Sequence, residues 1–219
     1  MRCSVIKARS LWFIDLLELN PRGKAFFPDV VDTLEEKYEF EKVPESSSDR
    51  NQQGGYEFVD GIFEPRPDDW IDVSLTVFSD GLAADTRSST KDSDAFLNDF
   101  LAFCQNAFGF ENSAGSVQRK GYLSELTVRT EKSLQSLNPK LISFAQRVGS
   151  LIPDGNYGPF EPWGISFGAD QITQLKPAPF QFERKANVPF SENRYYSQAP
   201  LQTEDHIALL QEFEELFLG

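Results

Sequence analysis

Two stretches of the chain, T-K-D-S-D-A-F-L-N-D-F at 90–100 and T-E-D-H-I-A-L-L-Q-E-F at 203–213, align with each other without a gap. Five of the eleven positions are identical, and the Asn/Gln and Asp/Glu replacements are conservative. An amphipathic helix commonly begins with Thr, carries an acid in its first turn and directs Leu and Phe inward, so this match is weak by itself. It gains weight only from further matches elsewhere in the chain.

Two more pairs of segments match in the same order. P-D-V-V at 28–31 corresponds to P-K-L-I at 139–142, and F-S-D-G at 78–81 corresponds to F-S-E-N at 190–193. In chain order, the three separations are 111, 112 and 113 residues. Two copies that drift apart by single insertions produce such a series, and we therefore predict an internal duplication.

Each copy contains the same kinds of element in the same order. For the first copy the patterns predict a strand at 10–19, a helix from Pro28, strands at 56–63 and 70–78, a hairpin turn at 79–81 with a strand after it, and a helix from Thr90 to about Gly109. For the second copy they predict a strand at 122–130, a helix from Pro139, strands at 163–169 and 180–186, a turn at 190–193 and a helix from Thr203.

This order of elements predicts an α+β fold made of two tandem strand–helix–three-strand–helix units, residues 1–112 and 113–219. We expect an antiparallel-rich sheet with the helices packed on one face. We also expect the two units to be related by a pseudo-twofold axis within one compact body.

The chain is strongly acidic. Its 219 residues include 34 Asp or Glu and 21 Lys or Arg, a net charge of −13, and residues 1–110 hold 21 of the acids and 11 of the bases. Nucleic acids and anionic membranes require clustered basic side chains, so we expect neither as the main partner. An acidic surface either keeps a protein soluble or faces a basic partner, and the composition leaves both readings open.

The cysteines and the apolar runs indicate the compartment. Cys3 and Cys104 are the only two cysteines, a sparse use that favours a reducing environment, although the sequence leaves a disulfide between them open. The apolar stretch at 11–17 is interrupted by Asp15 and precedes no small-residue cleavage site, and no run approaches the ~18–20 apolar residues of a membrane span. We expect a cytoplasmic protein that does not cross a membrane.

The single histidine, His206, removes many catalytic routes. Two-histidine phosphodiesterases and HExxH peptidases are excluded, and no Cys/His metal cluster is possible. We predict a surface or helix-cap role for His206, because its counterpart in the first copy is Ser93. The chain also lacks G-x-G-x-x-G and the P-loop motif, so we expect no cofactor. A nucleophilic triad would have to use His206, and we therefore expect none.

One arrangement of carboxylates resembles a known enzyme family. Asp170 follows a predicted strand, and Glu183-Arg184-Lys185 lies 13 residues later on the next one. An Asp followed by E-x-K across a hairpin resembles the restriction-endonuclease-like nucleases. The resemblance implies that Asp170 and Glu183 hold Mg²⁺ while Lys185 activates water or steadies the phosphate. Alternation places Glu183 and Lys185 on one face of the strand, although E-x-K also occurs by chance.

Aromatic and acidic residues in Pro/Gly-rich segments are candidates for binding a protein. Such loops either bear aromatic anchors for a partner or close the ends of the sheet. Tyr195 and Tyr196 are consecutive and could not both point inward on a strand, so one of them should reach a surface. The candidate binding residues are Asp68, Asp69, Trp70, Tyr157, Trp163, Tyr195 and Tyr196.

The sequence therefore favours a non-catalytic protein-binding protein. An acidic inhibitor of the immunity or antidefence type, which neutralises a basic nucleic-acid enzyme, agrees with the charge, as does a subunit of a larger bacterial or viral assembly. The alternative is the Mg²⁺-dependent nuclease that uses Asp170, Glu183 and Lys185.

Overall fold

The computed structural model describes residues 1–14, 27–110, 116–134, 138–152, 160–170 and 177–216. Over these ranges the chain has an α+β fold of eight strands and four α-helices. Strands β1 to β8 are Arg2–Phe13, Tyr56–Arg66, Asp69–Phe78, Gly81–Thr86, Arg119–Arg129, Gly164–Phe167, Phe180–Arg184 and Arg194–Ala199. Helices α1 to α4 are Phe27–Tyr38, Thr90–Phe108, Pro139–Ser150 and Thr203–Glu215.

The strands form one antiparallel sheet in the order β2-β3-β4-β1-β5-β8-β7-β6. The chain divides into two compact units that do not follow chain order. The first unit is Lys7–Ser124 with Leu201–Thr203, and the second is Met1–Ile6, Glu125–Pro200 and Glu204–Gly219. Strands β1 and β5 each contribute residues to both units. None of the helices in the described ranges is long and apolar enough to cross a membrane.

Aromatic rings dominate the core of the first unit. Alternation along β1 buries Ala8, Ser10 and Trp12, and α1 and α2 contribute their apolar stripes to the same core as Trp12. The ring of Tyr38 on α1 meets the ring of Phe96 on α2 edge-on at 5.0 Å. The predicted α1 stripe is confirmed, because Val31, Leu34 and Tyr38 are all buried.

Helix α2 has well-defined ends. The N-cap is Ser89, and Thr90, to which the sequence assigns the cap, is the first residue of the helix. The Ser89 hydroxyl accepts a hydrogen bond from the backbone N–H of Asp92. The helix stops at Gly109 as predicted, where a φ of 69° gives the left-handed conformation that glycine adopts without strain. The predicted hairpin turn is also present, since Phe78 pairs with Gly81 across Ser79 and Asp80.

The second unit has a smaller core. Side chains from β5, β7, β8 and α4 meet there, and the buried residues are Leu126, Val128, Leu134, Phe182, Tyr195 and Leu210. Helix α3 begins as predicted, with Asn138 as N-cap and Pro139 in its first turn. Much of its apolar stripe remains exposed, including Leu141 and Phe144.

The first strand differs most from its prediction. It begins at Arg2 and not at residue 10, and residues 15–19 of the predicted strand lie outside the described residues. Residues 2–9 alternate between exposed side chains such as Arg2 and Ser4 and half-buried ones such as Cys3 and Val5. Because polar residues occupy the exposed face of this part of the strand, the two-residue hydrophobic period of a β-strand is hard to recognise in the sequence.

Candidate functional site

The hairpin formed by β2 and β3 presents the predicted residues Asp68, Asp69 and Trp70. Its turn consists of Pro67 and Asp68, and β2 is an edge strand of the sheet. We call residues 62–72 the acidic hairpin. Trp70 is 65% exposed there, and the nearby Ile62 is 39% exposed. A large aromatic side chain this exposed is unusual in a folded protein.

Strand alternation separates the two faces of the acidic hairpin. Phe63 and Ile71 are paired across the strands and pack against the core, whereas the next pair, Ile62 and Asp72, is exposed. The register shifts between Phe63 and Arg66, as it does at a β-bulge. The sequence pattern therefore directs apolar anchors and carboxylates to the same outer surface.

Most of the carboxylates on the acidic hairpin have no basic partner among the described residues. Arg66 is the only basic residue between 56 and 78, where there are six acidic ones. Its guanidinium donates to Asp69 at 2.6 Å and to the buried Asp92 of α2 at 3.0 Å. The bond to Asp69 and the charge of Asp92 raise the pKa of Arg66. The only basic residue of this segment is thus already engaged, which leaves the segment with a negative charge.

A second surface brings together four other predicted residues. In the second unit, a pocket of about 370 Å³ is lined by Ile6, Thr127, Trp163, Glu183, Arg184, Lys185, Ala186 and Tyr196. We call it the aromatic pocket. Trp163 is 50% exposed, and its ring contacts the ring of Phe190 edge-on at 5.8 Å. Burial, and then the neighbouring carboxylates Glu125 and Glu183, raise the pKa of Tyr196 to about 12.

Arg184 lines this pocket and is almost fully buried. It donates to a carboxylate oxygen of Glu161 at 2.8 Å and to the carbonyl oxygen of Phe190 at 3.0 Å, and it stacks on the Phe190 ring at 4.0 Å. A buried guanidinium with this many partners has a structural role, because removing it would leave the partly buried carboxylate of Glu161 and the carbonyl oxygen of Phe190 without this donor. Sequence reasoning put Arg184 on the face opposite Glu183, and the structure agrees.

No hydrogen bond or ion pair among the described residues joins Asp170, Glu183 and Lys185, the residues of the predicted magnesium site. Glu183 lies opposite Gly164, whereas Phe167, at the other end of β6, is already about 10 Å along the strand. Asp170 follows Phe167 by three residues and is exposed. Among the described residues, no group of three or more His, Cys, Asp or Glu side chains is placed to hold a metal ion. Nuclease activity stays a prediction, and nothing in this geometry favours it.

No protein family or curated sequence matches this chain. Function must therefore be inferred from the surfaces themselves.

His206 is buried, so the predicted surface role is wrong. It is fully buried, with its Nε2 atom 2.9 Å from the hydroxyl of Ser197. That hydroxyl donates its single hydrogen to the carbonyl oxygen of Gln181, so it accepts from His206 Nε2–H. In this arrangement the imidazole does not act as a base toward Ser197, and neither group is accessible to a substrate.

The remaining predicted residues divide between core and surface. Tyr195 is fully buried, and its hydroxyl accepts from the backbone N–H of Leu134 at 3.2 Å. Tyr196, the next residue, lines the aromatic pocket, as alternation requires. Tyr157 lies outside the described residues.

Sequence reasoning missed a basic cluster on the second unit. Arg2, Arg129 and Arg194 line a pocket of about 290 Å³. They are 65 or more residues apart in a chain of high acidity, so no local run of basic residues indicates them. The only available signal is that each occupies an outward position on a strand.

Proposed function

We propose that the chain is a non-catalytic protein-binding protein whose acidic hairpin docks against a basic surface of another protein. An acidic inhibitor of the immunity or antidefence type fits this mode, as does a subunit of a larger bacterial or viral assembly. The observation that carries the proposal is Trp70, which is 65% exposed on an acidic hairpin whose Asp68 and Asp72 form no ion pair among the described residues. Aromatic anchors surrounded by polar groups are typical of the energetic centres of interfaces.

A second explanation of the acidic residues must be weighed. Charged side chains on an edge strand such as β2 also protect a sheet from pairing with another chain. Protection does not account for Trp70 and Ile62, because exposed apolar side chains promote association. A surface that combines carboxylates with an exposed tryptophan is better explained by a specific partner.

The test compares two aromatic residues of equal exposure. Trp70→Ala, at a position 65% exposed, should abolish recovery of the partner when the tagged chain is purified from its native cells. Phe144→Ala, at a position 67% exposed on α3, should recover the partner like the parent chain. Asp72→Lys should also reduce recovery, and increasing salt should weaken it.

The proposal fails if the parent chain is recovered alone at every salt concentration. It also fails if Trp70→Ala retains the partner at the level of Phe144→Ala. Circular dichroism should show that both variants are folded, because neither side chain contributes to a core.

We also infer that the chain arose by duplication, with its two copies related by a pseudo-twofold axis. Read inward from either edge, the sheet gives the second, third, fourth and first strand of one copy. Thr90 and Thr203, which the sequence alignment pairs, exchange hydrogen bonds. Thr90 N–H donates to the Thr203 hydroxyl at 3.1 Å, and Thr203 N–H donates to the Thr90 hydroxyl at 3.0 Å. Such reciprocity is the mark of a twofold contact.

We propose a cytoplasmic location for the protein. Cys3 and Cys104 are both free thiols, which agrees with a reducing compartment. The domain boundary near residue 112 stays a prediction.

A further inference from the structure

We propose that the second unit binds a single phosphoryl group, carried by a small phosphomonoester, in a pocket built by Arg2, Arg129 and Arg194. We call it the arginine pocket. Its volume is about 290 Å³, and its other lining residues are Cys3, Ser4 and Thr127. The inference does not depend on the acidic hairpin, which lies in the first unit.

Three neighbouring strands deliver the arginines to one place. Arg2 is on β1, Arg129 on β5 and Arg194 on β8, and these strands are adjacent in the sheet. Alternation buries Tyr195 and Val128 on the core side and therefore turns Arg194 and Arg129 outward. The guanidinium groups thus project from a rigid sheet and not from mobile loops, as a preorganised site requires.

The charge of the arginine pocket is largely uncompensated. No carboxylate lines it. Within the described residues, Arg194 forms one long ion pair with Glu192 at 3.7 Å, and Arg2 and Arg129 form none. In a chain of net charge −13, a pocket lined by three arginines and by no carboxylate is unexpected. A bound dianion would remove their mutual repulsion.

The chemistry of the donors selects the ligand. Guanidinium groups bind phosphate oxygens through two parallel hydrogen bonds, and three of them can engage a tetrahedral dianion more fully than a carboxylate with two oxygens. The hydroxyls of Ser4 and Thr127 add donors to the same wall. Together these donors match the terminal oxygens of a phosphoryl group, which carry its double negative charge.

The surroundings limit the size of the ligand. The adjoining groove of about 1150 Å³ shares Arg2 and Arg129, but four of its lining residues are Glu131, Glu192, Glu214 and Glu215. On the other side, Thr127 separates the arginine pocket from Glu183 in the aromatic pocket. A polyanion that extended in either direction would meet carboxylates. The site therefore fits a small phosphomonoester and not a nucleic acid.

Calorimetric titration of the full chain tests the proposal. Inorganic phosphate and phosphoserine are the probes, each at constant ionic strength set with chloride. We expect saturable binding of both, with Arg129→Gln and Arg2→Gln each weakening it about tenfold or more. Arg129→Lys, which keeps the charge but loses the two-pronged geometry, should retain part of the affinity. The charge-matched control Arg147→Gln, on exposed α3, should bind like the parent chain.

Several outcomes would overturn the proposal. Phosphate that binds no better than chloride or acetate would exclude a phosphoryl site. An equal loss in Arg147→Gln would show general screening and not a pocket. Arginine-dependent binding of a short DNA duplex more tightly than phosphoserine would exclude a small ligand. Trp70→Ala should leave phosphate binding unchanged, so failure here and failure of the acidic hairpin are distinguishable.

Discussion

Buried hydroxyl groups connect the elements of the first unit. Ser93 donates to the carbonyl oxygen of Ala8, and Ser10 donates to that of Thr90. The hydroxyls of Thr90 and Thr203 each accept a backbone N–H from the other residue. Because these hydroxyl groups are buried, each makes a hydrogen bond that water cannot replace.

Removing either threonine hydroxyl should therefore destabilise the protein. Thr90→Ala and Thr203→Ala each leave one buried N–H without an acceptor, at a cost of about 1–3 kcal/mol. The two costs should be similar, because the two bonds are equivalent under the proposed duplication. Urea unfolding followed by circular dichroism gives both values.

The serine variants provide the matched controls. Thr90→Ser and Thr203→Ser keep the hydroxyl and should lose less stability than the corresponding alanines. If only one of the two alanine variants is destabilised, the two hydrogen bonds between Thr90 and Thr203 differ in energy, and they no longer support duplication.

His206 shows why part of the site chemistry is not predictable from the sequence. The sequence alignment pairs the residue with Ser93, and both are buried and hydrogen-bonded to a neighbouring strand. Helix periodicity identifies the buried face of a helix but not the strand against which that face packs. Ser197, the partner of His206, could therefore not be recognised before the strands were in place.

Two glycines have different roles in the elements that contain them. At Gly61, in strand β2, a Cβ atom would lie 2.4 Å from the Phe40 ring and 2.9 Å from the carbonyl oxygen of Tyr38. At Gly109, which ends α2, the space is open but φ is 69°. Close packing requires the first glycine, and backbone conformation requires the second.

Substitutions should separate these two requirements. Gly61→Ala should cost about 1–3 kcal/mol through overpacking, and Gly109→Ala about 1 kcal/mol through backbone strain. Asparagine accepts the left-handed conformation, so Gly109→Asn should regain stability over Gly109→Ala. Gly61→Asn should be worse than Gly61→Ala. Urea midpoints of the four variants measure the order, and recovery by asparagine at Gly61 would contradict the packing argument.

The elements were predictable to different degrees for physical reasons. Helices α1 and α2 were recognisable because each carries a long apolar stripe that is buried. Strand β6 has only four residues, Gly164–Phe167, so the predicted strand at 163–169 extends past both of its ends. The acidic hairpin was predictable because its residues are consecutive. The arginine pocket was not, because its residues meet only through strand pairing.

Alkaline pH should destabilise the whole molecule. Burial raises the pKa of Cys104 from 9.0 to about 12, and burial with Glu125 raises that of Tyr196 from 10.0 to about 12. The folded protein keeps these protons where the unfolded chain releases them. Their contribution to stability is therefore complete below pH 9 and is lost as the pH rises to about 12.

Urea unfolding between pH 8 and 12 measures this loss. Tyr196→Phe removes one of the two groups, so its stability should fall less steeply above pH 10 than that of the parent chain. Equal slopes in the two proteins would show that Tyr196 does not couple to folding.

The residues that make up the second unit determine when it can fold during synthesis. Its core takes Cys3 and Val5 from the start of β1, yet Leu210 of the same core is made about 200 residues later. During synthesis on the ribosome, residues 1–6 cannot complete their packing until Leu210 has been made. The first unit needs little beyond residue 124 to close. The protein should thus emerge with the acidic hairpin formed well before the arginine pocket can assemble.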